Sequence, residues 1–260
     1  MSKSQNFYYQ KSDSEYEQNI MKRVFFRTAA SVLILTVFAV IISFLKLRLP
    51  FLPRMFSLDF SVFPEMIAAL AFGPIYGIGI CFVKSVIHML FINNSLVVDA
   101  SNFLSDAVFL GITGGFYLMK MFPKAPDFTP DKRIADSKHY REITIIKGSL
   151  IGIVASLPVK FLTTNYIVYP VLEKLYKTSG VTPQAIIQSC NISIRSVKSF
   201  LPESVASLIP EVKTVWQGIL MINIPATFAK LIAVTVLCLI IYPLVSPILH
   251  GRPMIDKKAN

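Results

Sequence analysis

Lys84 and His88 stand four residues apart, Asp99 and Asp106 seven apart, and all four lie inside or at the edge of otherwise apolar stretches. At those spacings each pair shares one face of a helix. A lysine, a histidine and two carboxylates in such a setting can relay protons, serve as acid and base on a lipid-borne substrate, or grip a polar ligand. The blander alternatives are a lysine snorkelling to the interface and a carboxylate at a helix N-terminus, which suits Asp99. Asp106 lies deeper and calls for a lysine or polar partner on another helix. Lys230 precedes a long apolar run, with Thr227 one turn before it on the same face. Asn165 follows Thr163 and Thr164. An Asn, a Thr and a Lys at similar depth offer donors and acceptors to the polar edge of a mostly apolar ligand. Ionisable groups at membrane depth cost about 2.5–3.5 kcal/mol on insertion scales, so their presence there points to function.

The elements that position these residues are membrane spans. The 260 residues are 53% hydrophobic and 16% charged, the composition of an integral membrane protein. Six apolar stretches run over 26–45, 61–73, 75–92, 103–122, 143–172 and 215–249. The second and third are short and predict a tight hairpin at Gly73-Pro74; the last two exceed the roughly 20 residues of a span and predict tilting or kinks at Pro158 and Pro225. The expected organisation is a polar tail over 1–22, a membrane domain over 23–250 and a second tail over 251–260. Within it, 123–141 reads as a cytoplasmic linker and 173–213 as an extracytoplasmic cap of two short amphipathic helices. With both termini inside, the cytoplasmic segments hold fifteen Lys/Arg against eight outside, the direction of the positive-inside rule. The net charge of +11 is therefore read as topology and lipid contact, with no nucleic-acid partner. Cys81, Cys190 and Cys238 form no disulfide or metal spacing, and Cys190, in the hydrophilic cap, is expected to be accessible.

Residues 43–91 interrupt the apolar pattern with Pro50, Pro53, Pro64 and Phe72-Gly73-Pro74, and add Asp59 and Glu65. Irregular backbone at membrane depth survives where it is buried in protein or lines a cavity, so this block reads as the wall and lid of a small-molecule site. Small residues (Ala29, Ala30, Ser31 and Ala39, then Gly111, Gly114 and Gly115) permit close helix packing or a docking face for another membrane subunit. The chain carries no Walker A loop, Gly-x-Ser-x-Gly elbow, His-Glu-x-x-His or Gly-x-Gly-x-x-Gly. The expectation is a protein that is not an enzyme and that uses no metal or cofactor of its own.

Leu49-Pro50-Phe51-Leu52-Pro53, Leu58-Asp59-Phe60-Ser61, Pro64, Phe72-Gly73-Pro74, Gly77 and Lys84 closely resemble the signature of riboflavin-specific S components (RibU type) of energy-coupling factor (ECF) vitamin transporters. Asn102-Phe103, Asn165-Tyr166 with Pro170, Pro225 with Lys230, and Tyr242 with Leu244-Val245-Ser246-Pro247 continue it in order. The resemblance implies an all-α integral membrane bundle of six transmembrane helices, with the cap between helices 5 and 6, in the bacterial cell membrane. It implies capture of riboflavin from outside for ATP-driven uptake by a separate T subunit and two ATPase subunits. Carried over by position, the flavin-edge residues are Asn165 and Lys230 with Thr227, and the loop residues are Met55, Ser57 and Leu58. Lys84, on the third helix, is expected to lie away from that edge. The sequence departs from the family pattern at Thr227, where asparagine is usual, and in the length of 173–213. FMN or another vitamin-sized heterocycle is the alternative ligand, and a membrane enzyme acting on lipid through Lys84, His88, Asp99 and Asp106 the alternative class.

Overall fold

A computed structural model describes residues 3–45, 59–91, 96–121, 138–175, 182–200, 202–207 and 209–250. All regular structure among them is helical. The first helix, α1 (Lys3–Phe44), runs unbroken through the polar tail, which therefore continues the span in place of forming a separate element. Its buried face is a narrow stripe of Leu35, Ala39 and Ser43 at four-residue spacing, while Ala29 and Ala30 are exposed.

Helix α2 (Val62–Ala71) is apolar all round apart from Glu65, and nine of its ten residues are buried, so it is the central strut of the bundle. Pro64 falls in its first turn, where a missing N–H costs no helical bond. It ends at Phe72 and Gly73, whose φ of 110° suits glycine, and Pro74 then starts α3 (Pro74–Phe91). The expected hairpin is thus present. Its helices meet at Gly77, where a Cβ would stand 2.6 Å from Ala69 Cβ and 2.8 Å from the Glu65 carbonyl oxygen.

Helix α4 (Leu96–Met121) starts seven residues before the apolar stretch that signalled it, because Asp99, Ser101 and Asn102 occupy its first turns. Helix α5 (Lys138–Thr163) packs closely on it, with Gly148 and Gly152 against Thr113 and Phe109. Gly114 abuts Ala69 of α2 as a packing residue should, whereas a Cβ at Gly115 would meet nothing within 4 Å. Pro158 lies inside α5 without ending it. The backbone widens instead into a π turn at Thr164–Val168, continued by α6 (Tyr169–Leu175).

The segment after α6 contains α7 (Pro183–Lys198), capped by the Thr182 side chain, and the short α8 (Glu203–Ala206). Cys190, Ile194 and Val212 there form a small apolar core with Tyr169, Ile219 and Ile222. Cys190 is 1% exposed, and a Cβ on Gly218 would lie 2.9 Å from its sulfur, so the expected accessibility is overturned by packing. The chain returns through α9 (Val215–Gly218), a second π turn at Ile219–Asn223 and α10 (Ile224–His250). The main core unites α1 to α5 and α10 around Met66, Phe109, Leu110 and Val234.

By length and hydropathy, Met21–Phe44, Pro74–Phe91, His139–Val171 and Val215–Leu249 are each able to cross a membrane. Their outward faces carry exposed Phe, Leu, Ile and Val, as lipid-facing surfaces do. The described residues are those of a helical, multi-pass membrane protein.

Candidate functional site

The polar groups singled out along the sequence converge inside the bundle in two connected layers. In the first, Lys84 on α3 reaches back to the start of α2. Its Nζ lies 2.7 Å from Glu65 Oε1 and 3.7 Å from Asp59 Oδ2, and it donates to Ser61 Oγ at 2.8 Å. Ser61 donates its backbone N–H to Asp59 Oδ1 at 2.8 Å, which closes the cluster. Lys84 is 4% exposed and Glu65 0%, so this lysine does not snorkel; it is a buried cation shared by two carboxylates. His88, one turn on, pairs through Nδ1 with Asp99 Oδ2 on α4.

The second layer lies between α4, α5 and α10. Lys230 Nζ sits 3.1 Å and 3.4 Å from the two carboxylate oxygens of Asp106, which called for a lysine or polar partner on another helix. One turn earlier on α4, Asn102 Oδ1 accepts from Lys160 Nζ, which also donates to Ser101 Oγ at 3.4 Å. Ser101 Oγ is 2.8 Å from Thr163 Oγ1 and 3.4 Å from Thr164 Oγ1. Asn223 donates to Thr164 Oγ1 at 3.4 Å and accepts from Thr227 Oγ1 at 3.5 Å. Sequence pattern names Asp106, Thr227 and Lys230 here but passes over Lys160 and Asn223, although Lys160 stands three and four residues before Thr163 and Thr164 and Asn223 four before Thr227.

The two π turns meet at the Thr164–Asn223 contact. A π turn holds one residue more than an α turn, re-aims the side chains around it, and is frequent at functional sites. A proline follows each by two residues, Pro170 and Pro225. Neither can donate to the carbonyl four residues before it, at Tyr166 and Met221, and both of those lie within the π turns. Asn165 occupies the first of these turns, half-buried, and its side chain bonds to no other described residue. Thr227 and Lys230 are buried one turn apart on α10. The predicted loop residues Met55, Ser57 and Leu58 lie outside the described residues.

Glu65, Cys81 and Asp106 also bring ligand atoms within 4.8 Å of one another, a grouping that invites a metal ion. Lys84 on Glu65 and Lys230 on Asp106 already set a cation against each carboxylate. The chemistry of this donor set is that of a charge-balanced polar core.

Residues 29–244 match the family described as the ECF transporter, substrate-specific component. The chain belongs to this family. Its fold is that of a solved protein titled the S component of a bacterial ECF transporter, matched with a TM-score of 0.54 at 22% identity over 85% of this chain and 96% of that one. It is also 27% identical to the riboflavin transporter RibU of Staphylococcus aureus (strain TCH60) over 172 residues, 62% of this chain and 81% of the relative. Members of this family are transporter components, not enzymes, which removes the lipid-enzyme alternative. Of the groups on which that alternative rested, His88 pairs with Asp99, while Lys84 is held by Glu65 and Asp106 by Lys230.

Proposed function

We propose that this S component captures riboflavin from outside the cell and hands it to a separate T subunit and two ATPases for uptake. The observation that carries the reading is the buried donor-and-acceptor layer beside Asn165, from Thr164 and Asn223 through Thr227 to Lys230, in a chain related to a riboflavin transporter. A flavin has an apolar dimethylbenzene end and a uracil-like end of alternating donors and acceptors. Asn165 can donate and accept, whereas Lys230 only donates. In this reading the ligand's carbonyl draws Lys230 partly from Asp106, and Met55, Ser57 and Leu58 cover the ligand. The T subunit then docks on the exposed face of α1, where Met21, Val24, Phe25, Thr28, Ala29 and Val32 line a groove of about 440 Å³ with Tyr76.

Purified protein should be yellow, and the small molecule it carries should have the mass of riboflavin. A different mass, FMN included, redirects the assignment. In calorimetry, Lys230→Ala and Asn165→Ala should each weaken riboflavin binding by about 10- to 150-fold, the worth of one hydrogen bond involving a charged or well-placed donor. Unchanged affinity in both variants removes the assigned site.

A further inference from the structure

Among the described residues three lysines are buried in the bundle, Lys84, Lys160 and Lys230. Lys84 faces two carboxylates and Lys230 faces one. Lys160 differs: its described polar contacts, Asn102 Oδ1 and Ser101 Oγ, are both neutral. An ammonium carries three N–H bonds, so one is left for a further acceptor. Asn102 and Asp106 stand one turn apart on one face of α4, so the lysines they receive from α5 and α10 enter the bundle one turn apart along it. An aspartate at 102 would pair Lys160 directly; with asparagine there Lys160 touches no carboxylate among the described residues, and the carboxylates that balance the core, Asp106 and the neighbouring Glu65, are held by other lysines. A desolvated charge is kept where something else offsets its burial.

The neighbours show where that offset comes from. Lys160 shares one face of α5 with Thr163 and Thr164, which join Ser101 and Asn223. Thr164 opens the π turn that also carries Asn165 and meets the second π turn at Asn223.

We propose that Lys160 is a specificity-determining residue of the ligand site: with Lys230 it forms a two-cation edge, set by Asn102 and Asp106, that receives the carbonyl-rich edge of a heterocycle and disfavours cationic ligands. This rests on the riboflavin reading and extends it. The uracil-like ring has two carbonyl oxygens flanking one N–H; two lysines suit the oxygens, and the Asn165 amide oxygen suits the N–H.

The test is calorimetry on the full chain and on Lys160→Gln and Asn102→Asp, each with riboflavin, its 2-thio and 4-thio analogues, and the cationic vitamin thiamine. Melting curves check folding. Asn102→Asp keeps the shape of the side chain and gives Lys160 a carboxylate, so it alters charge with little change in packing. Both variants should bind riboflavin about 10- to 150-fold more weakly. They should also discriminate less between riboflavin and a thio analogue, because sulfur is the weaker acceptor. Thiamine should not bind the unmodified protein. Folded variants with unchanged riboflavin affinity overturn the inference and leave the riboflavin reading standing. A loss of affinity with unaltered thio discrimination overturns it too, since a merely structural lysine would act that way. If the unmodified chain binds no riboflavin, the reading and the inference fall together.

Discussion

A buried lysine contributes through the partners it would leave behind. Lys84 is in contact with Glu65, Asp59 and Ser61, and the first of these is wholly enclosed. Removing the ammonium strands carboxylates in low dielectric, and breaking a buried pair in this way costs about 3–5 kcal/mol. Lys84→Ala should therefore lower the melting temperature in detergent substantially, and an equal melting temperature would show that the cluster is not holding α2 and α3 together. Its effect on ligand affinity, measured in the folded fraction, should stay small beside that of Lys230→Ala, since Lys84 belongs to the other polar layer. Sequence spacing placed Lys84 and His88 on one face and called for a lysine or polar partner to Asp106 on another helix. It did not say which residue, because periodicity fixes a direction around one helix axis and says nothing of which neighbour lies there. Lys160 and Asn223 were missed for the same reason: alone each is a polar residue in an apolar run, and only the approach of α4 to α5 and of one π turn to the other gives them a role.

The helices themselves were largely legible, since apolar runs of about 20 residues leave few alternatives in a membrane. The Gly73-Pro74 hairpin and a short amphipathic helix after Pro183 follow from such signals. The π turns did not, although Pro225 marks the place where the kink was expected and Pro170 marks its counterpart. A proline forbids one backbone bond, but whether the chain answers by kinking or by widening a turn depends on what the neighbouring helix offers. Here each π turn supplies a side chain to the other, Thr164 and Asn223. Pro225→Ala restores the missing N–H and permits an ordinary α turn, which would rotate the residues before it by about 100° relative to Thr227 and Lys230. Pro225 is exposed, so little packing is lost. The variant should melt no lower than the parent yet bind riboflavin about tenfold more weakly, roughly one hydrogen bond to a charged or polar partner. Unchanged affinity would mean that the π turn is not part of the site.

At the scale of the whole chain, orientation is the remaining question, and the arrangement of cysteines gives a direct test. The excess of Lys/Arg on one set of connecting segments argues for both termini inside and the segment around α7 outside. Cys190 lies in that segment, on α7, but its side chain is enclosed against Gly218 and Val212, and burial raises its thiol pKa above the ordinary value, so little thiolate forms at neutral pH. Cys81 and Cys238 are 0% exposed. The native chain should therefore take up almost no membrane-impermeant maleimide until it is denatured, and it serves as its own silent background. Ser199, just past α7, and His139, at the start of α5, are both exposed. In intact cells Ser199→Cys should label at once, whereas His139→Cys should label only after the membrane is opened. The six-span arrangement with both ends inside requires that order, because His139 and Ser199 are separated by one crossing, through α5 and α6. The reverse order would invert the protein and put the Asn165 side of the site on the cytoplasmic face. Equal labelling of both sites in intact cells would mean that the His139–Val171 helix does not cross the membrane at all.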